Sequence, residues 1–381
     1  MKWGTVVVGA VLVGCAVELP LWAASLADQL DAILRRKAFQ PADLEVPALE
    51  REVLQGADFP VAATTPDFAY RFNPDLGVYE RVSKSAGPLF LDTPDTVGNR
   101  VVEVGLSFLF SDFTRRDGDR LPGTVPRFNF LAFPAEGTKP IRLPGRLVFD
   151  KFDLSASVLS LSATYGLTDR WDVGAVVQGV QTALDARGRT EVTVQGVTVP
   201  LERVTIDDTK IGFGDILLKT KYAFGAALGV NVAPGLTLRI PAGDTANFQG
   251  LGDLIVTPRL LMSREIGPHA VHAELGFAAD ADDLAASRAR YGVGMSLRAL
   301  EGVSVLAELI GKSAFVEDEV RDVRFAAFSR ALPRTDIVDA AVGVKARLLR
   351  SGVGFVSVVV PVTSDGIRAD AVPVGGIELT F

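Results

Sequence analysis

Only two histidines occur in the 381 residues, His269 and His272. Imidazole is the side chain best matched to proton transfer near neutral pH, so a hydrolytic reading must use one of them. A serine hydrolase needs a His beside a Ser, and an Asp-His protease needs a carboxylate beside the ring. Here His269 falls in a turn and His272 on the polar side of the segment that follows, so neither is expected to catalyse. The acidic runs Asp117-Gly118-Asp119 and Asp280-Ala281-Asp282-Asp283 offer oxygens for Ca²⁺ but lack the spacing of a full coordination loop, and are read as solvated loop tips. Gly292-Val293-Gly294 does not sit in a βαβ pattern, so it does not read as a nucleotide loop. The expectation is a non-enzyme with no metal and no cofactor.

What remains is a set of charges that recur on one side of alternating segments: Glu103, Asp215, Lys219, Lys221, Arg239, Arg259, His272, Glu274, Arg290, Arg298, Glu308, Asp339, Lys345 and Glu378. If these segments closed into a barrel, the set would line its interior. Mixed charge around a pore sets selectivity. The competing reading is that the charges pair with one another and only fill the interior.

The segments themselves have period two from Arg100 onward. Val102, Val104, Leu106, Phe108 and Phe110 alternate with Glu103, Gly105 and Ser107; Val271, Ala273, Leu275 and Phe277 alternate with His272, Glu274 and Gly276. Lys or Arg turned toward lipid costs roughly 2–4 kcal/mol at the bilayer midplane, which explains why the charges keep to one face. About twelve such strands can be counted, ending in Gly375-Gly376-Ile377-Glu378-Leu379-Thr380-Phe381, a strand that stops on an aromatic residue. The connections alternate between long (Phe113–Asp153, Asp185–Gly214, Pro241–Gly252, Asp280–Arg288, Lys312–Thr335, Thr363–Ala371) and short (Gly166–Arg170, Gly225–Ala227, Arg264–Pro268, Leu300–Gly302, Leu349–Ser351). Long outer loops and tight inner turns are the asymmetry of bacterial outer-membrane barrels. The fold class expected is therefore all-β, a transmembrane antiparallel up-and-down barrel of about 12 strands.

Composition agrees. Apolar residues make up 48%, yet beyond the first 25 positions no uninterrupted apolar run of the length a membrane helix needs appears. Glycines number 37 against 3 methionines, which suits turns and crowded barrel interiors. A net charge of −7 argues against nucleic acid, whose phosphates require a basic surface. Residues 1–27 read as a signal peptide, with Ser25-Leu26-Ala27 as the cleavage site; Leu12-Val13-Gly14-Cys15 is the rival, a lipobox. Residues 28–99, broken by Pro47, Pro60, Pro66, Pro74 and Pro88, form an N-terminal extension that lies in the periplasm, covers the mouth or plugs the lumen. Residues 100–381 form the barrel.

Three short motifs add a resemblance. Tyr165-Gly166-Leu167-Thr168-Asp169-Arg170-Trp171, Gly212-Phe213-Gly214-Asp215-Ile216 and Pro241-Ala242-Gly243-Asp244 resemble turns and strand starts of the outer-membrane proteins named for the MetA pathway of phenol degradation. Ala242 stands where that family has Thr. The resemblance implies an outer-membrane barrel of the transporter kind with a link to aromatic catabolism, and no particular substrate. Together these readings give an expectation: a monomeric channel in the outer membrane of a Gram-negative bacterium, passing small solutes, hydrophobic or aromatic ones included, by diffusion. Its partners would be outer-membrane lipid and lipopolysaccharide, the barrel-assembly machinery through Phe381, and the solute. The alternative is a structural or adhesive surface barrel with a blocked lumen.

Overall fold

The computed structural model describes residues 25, 26, 29, 39–41, 70–73, 78–81, 87–121, 127–132, 141–194, 197–316, 318–321, 329–332, 334–349 and 352–381. The expected leader, apart from Ser25 and Leu26, and most of the extension up to residue 86 lie outside the described residues.

Twelve staves close one antiparallel barrel. They are β1 (Val102–Arg116), β2 (Ile141–Thr168), β3 (Trp171–Val194), β4 (Val197–Phe213 continuing as Ile216–Tyr222), β5 (Val230–Ile240), β6 (Ile255–Ile266), β7 (His269–Asp280), β8 (Arg288–Leu300), β9 (Val303–Ala314), β10 (Asp336–Leu349), β11 (Gly352–Pro361) and β12 (Val372–Thr380). Each pairs with its successor, and β12 returns to β1 through Val374↔Leu109 to Thr380↔Glu103. The last bonds of that seam are Phe381 N–H to the Val102 carbonyl, 2.8 Å, and Val102 N–H to the Phe381 carbonyl, 3.1 Å. Closure leaves no unpaired edge, the condition for a sheet to sit in hydrocarbon. Among the described residues Leu26 and Gln29 are α-helical, and the other helical structure is two single 3₁₀ turns, Thr245–Asn247 and Leu284–Ala286.

Alternation decides which side chains face outward. Leu106, Phe108, Leu159, Leu161, Leu275, Val293, Leu309, Val342, Val356 and Ile377 are all exposed on the outer face. Two packed layers would have buried these rows against each other. Aromatic residues gather at both ends of the belt: Tyr165, Trp171, Tyr222 and Phe224 near the short turns, and Phe277 and Phe315 near the long loops, their rings 5.4 Å apart. Such girdles mark the two membrane interfaces of a barrel.

One expected loop is not a loop. Asp185–Gly214 continues as paired strand, from Gly179↔Phe213 out to Val194↔Val197. With β2, which runs 28 residues although only Leu154–Tyr165 pair with β1, it makes a projecting arm. The reason is local: Val192-Thr193-Val194 and Val197-Thr198-Val199 are β-branched and favour strand. Beyond the rim there is no lipid to demand an apolar outer face, so the pattern changes: Leu184, Ala186 and Ile206 are buried while Arg187 is exposed. Charges pair along the arm instead. Lys151 reaches Asp185, and Asp153 at 3.0 Å; Arg189 reaches Asp150, and Glu191 at 2.9 Å. The hydrogen bond to Asp185, then that to Asp153, raises the Lys151 ammonium above its ordinary pKa.

Candidate functional site

The segment before β1 does not hang free of the barrel. Residues 89–97 run inside it as a strap, descending to the rim of short turns. Glu308, on the inner face of β9, accepts the N–H groups of Leu89, of Phe90 at 3.0 Å and of Leu91 at 3.2 Å. One carboxylate thus satisfies three successive backbone donors that have no sheet partner, which a buried chain requires.

The next residue carries the strap's own charge. Asp92 accepts from Lys221 Nζ at 2.9 Å and from Arg259 Nη2 at 3.0 Å. Arg259 Nη1 donates onward to Glu274 at 3.2 Å, and Glu274 also accepts the Asp92 N–H at 3.0 Å. Lys221 adds a bond to the Thr93 carbonyl, 2.9 Å. The two cations therefore share one carboxylate supplied by the strap.

Lower down, Thr96 donates to the Asp169 carbonyl at 2.7 Å, Val97 N–H to Asp172 at 3.0 Å and Asn99 N–H to the Asp169 carboxylate at 3.2 Å. Arg100 N–H donates to the Gly166 carbonyl at 2.8 Å. A Cβ built on Gly166 would stand 1.8 Å from the Gly98 carbonyl oxygen. That obstacle is backbone and cannot rotate away. Gly166→Ala should therefore cost about 1–3 kcal/mol, the scale of overpacking, read as a lower denaturant midpoint for loss of the heat-modifiable folded form.

Leu89 and Phe90 pack to one side of the strap. There Leu109, Val158, Val180, Leu306, Ala341, Phe355, Val359 and Val374 form an apolar cluster around Leu89. These come from β1–β3 and β9–β12, so that half of the lumen is filled with side chains. The other half, walled by β4–β9, holds a cavity of about 130 Å³. Phe90, Leu91, Asp92, Leu217, Lys219, Thr237, Arg239, Ile255, Thr257, Arg259, Glu274, Arg290, Tyr291, Ile310 and Gly311 line it.

The expected interior charges divide accordingly. Lys219, Arg239, Arg259, Glu274 and Arg290 surround the cavity; Lys221 and Glu308 grip the strap. Asp215 pairs with Arg239 at 3.7 Å and caps the loop 241–252, accepting Gly243 N–H at 3.2 Å and Leu251 N–H at 2.9 Å. Asp339 holds Arg368 of the short strand Ile367–Ala369, which precedes β12 and pairs with the end of β1 at Phe113–Arg116. Lys345 reaches Glu378 at 3.5 Å and lies over the Phe355 ring, 5.5 Å from its centroid. Thr380 Oγ1 stands 3.5 Å from Glu103. Arg298 stands opposite Ser304 in the ladder and is exposed. Six of the fourteen, Lys221, Arg259, Glu274, Glu308, Asp215 and Asp339, tie the strap or a loop to the wall, which a sequence pattern cannot distinguish from pore lining.

His272 does meet a serine: its Nε2 lies 3.1 Å from Ser296 Oγ. Ser296 is wholly buried, and among the described residues His272 Nδ1 has no hydrogen-bond partner, so no acid among them orients the ring. Asp253, Asp280 and Asp282 approach one another. Asp280 accepts the N–H groups of Asp282 and Asp283, at 3.0 and 2.9 Å, and Asp282 that of Leu254 at 3.1 Å, the pattern of loop capping.

Fold and interior together define a membrane-spanning twelve-stranded barrel with a strapped lumen. No family model and no curated protein matches the chain. Among solved structures, an outer membrane channel from Pseudomonas putida F1 is similar at a TM-score of 0.47 and 12% identity, covering 76% of this chain and 98% of that one. The CymD monoaromatic hydrocarbon channel is similar at 0.37 and 10%, covering 74% and 89%. The Pseudomonas putida toluene transporter TodX is similar at 0.35 and 10%, covering 76% and 92%.

Proposed function

We propose that the chain is an outer-membrane channel of a Gram-negative bacterium through which small solutes, hydrophobic or aromatic ones included, diffuse without an energy source. The observation that carries this reading is the half-filled lumen. Twelve strands enclose more space than the filled eight-stranded barrels do, and on the β4–β9 side about 130 Å³ of it lies beside a strap held largely by polar bonds. The short-turn rim faces the periplasm in this reading, the long loops and the arm face outward, and residues 89–97 serve as the plug. The motifs resembling the MetA-pathway proteins support the link to aromatic compounds.

A second reading has its own observation. The apolar cluster around Leu89 and the projecting arm suit a blocked barrel that presents a surface to partners. Planar-bilayer recordings separate the two: a channel gives discrete conductance steps, whereas a blocked barrel gives none in the wild type or with the strap loosened.

Lipid, lipopolysaccharide and the assembly machinery are the partners this role requires. Phe381 is 71% exposed, so its ring adds little to the fold. Phe381→Ser should leave detergent-refolded barrel as stable as wild type while reducing the assembled, heat-modifiable form in cells. Equal assembly in cells would rule out a role for the terminal ring.

A further inference from the structure

We propose that the cavity on the β4–β9 side is a binding site for an aromatic monocarboxylate, with Lys219 receiving the carboxylate. This rests on the reading of the barrel as a small-solute channel and names the chemistry of the solute it holds.

Size sets the first limit. A cavity of roughly 150 Å³ with apolar walls accommodates benzene, and this one measures about 130 Å³. A single six-membered ring fits. Shape and chemistry set the second. Leu91 of the strap, Ile255 of β6 and Ile310 of β9 supply apolar wall, and a Cβ on Gly292 would run into both Leu91 and Ile310, at 2.3 and 3.4 Å, so these side chains stand together over it. The remaining lining carries four cations against two carboxylates in a chain whose net charge is −7.

Charge sets the third limit. Asp92 and Glu274 are engaged by Lys221 and Arg259, and Arg239 has Asp215 at 3.7 Å. Lys219, two residues before Lys221 on the same inner face, forms no hydrogen bond or ion pair among the described residues. Cations in a confined interior are normally paired, because an unpaired one loses solvation without compensation. An ammonium left over beside a ring-sized apolar wall is complementary to a carboxylate on an aromatic ring, through a charge-assisted hydrogen bond. A neutral hydrocarbon would leave the Lys219 ammonium to Asp92 and Glu274, which act on it without forming an ion pair.

The test is calorimetric titration of purified full-length barrel in detergent with benzoate and with benzyl alcohol, its neutral analogue of similar size. Wild type is expected to bind benzoate at least tenfold more tightly than benzyl alcohol. Lys219→Met should remove that preference, while Arg298→Met, a cation outside the cavity, should keep it. Ile255→Trp, which fills the apolar wall without touching charge, should abolish binding of both. Heat-modifiable migration verifies that each variant is folded. Equal benzoate affinity in wild type and Lys219→Met overturns the assignment, as does equal affinity for the two ligands, an equal loss in Arg298→Met, or no benzoate binding to wild type. Because binding is read without a membrane, its failure is distinct from failure of the channel reading. A barrel that binds benzoate but never conducts keeps the site and loses the channel.

Discussion

Asp92→Ala is expected to weaken the barrel and open it in the same step. The carboxylate is the shared anion of Lys221, at 2.9 Å, and Arg259, at 3.0 Å, and all three side chains are at most 8% exposed. Removing one partner of a buried ion pair costs about 3–5 kcal/mol, because the charge left behind keeps its desolvation penalty. Here two cations are left, with Glu274 answering Arg259 and the Thr93 carbonyl answering Lys221. Their repulsion acts on the strap, whose other grips on this wall are Glu308 and Glu274, the latter through the N–H of residue 92. The expected result is a lower denaturant midpoint together with a several-fold rise in single-channel conductance. Asp92→Asn, which keeps shape and one acceptor oxygen, should fall between. If stability drops and conductance stays at the wild-type value, the strap is not what narrows the passage.

The strap is also where sequence reading reaches its limit. Gly87-Pro88-Leu89-Phe90-Leu91-Asp92-Thr93-Pro94 has no period of two or 3.6, and its partners lie far along the chain, Glu308 being 219 positions away from Leu89. Alternation states that Glu308 and Lys221 face inward. It cannot state that Glu308 spends both oxygens on backbone N–H groups, or that Lys221 is claimed by Asp92. The staves were legible because lipid imposes one rule on every residue of the outer face. The arm at Asp185–Gly214 was not, because beyond the rim no lipid dictates the outer face, and its buried side, with Phe152, Ala186 and Ile206, is set by contacts that alternation does not name.

The three motifs carried more than a resemblance. Asp215 of the second accepts the Gly243 N–H of the third, so residues 28 positions apart meet where β4 is interrupted. A Cβ on Gly212 would strike the Gln249 side chain at 2.2 Å, which is how the loop 241–252 finds room there. Asp169 and Gly166 of the first motif hold the strap's lower end. Each motif is thus a clasp between chain segments, and its function would have been invisible without the fold.

Val293→Arg is expected to abolish insertion into a bilayer. Val293 lies mid-stave on β8, opposite Ala273 on one side and Leu309 on the other, and is 56% exposed on the outer face. An arginine there faces hydrocarbon, at a cost of about 2–4 kcal/mol near the midplane. That is a large part of the roughly 5–15 kcal/mol by which a folded domain normally outweighs its unfolded chain. A soluble sandwich would respond in the opposite way, since an exposed valine replaced by arginine in water changes stability by no more than about 0.5 kcal/mol. Refolding yield into lipid vesicles, read by heat-modifiable migration, decides between them. Arg298→Met on the same stave supplies the control, since it adds no charge to the outer face and should refold as wild type does. A Val293→Arg chain that enters vesicles as well as wild type would mean that this row of side chains does not meet lipid, and the closed cylinder would have to stand in water instead.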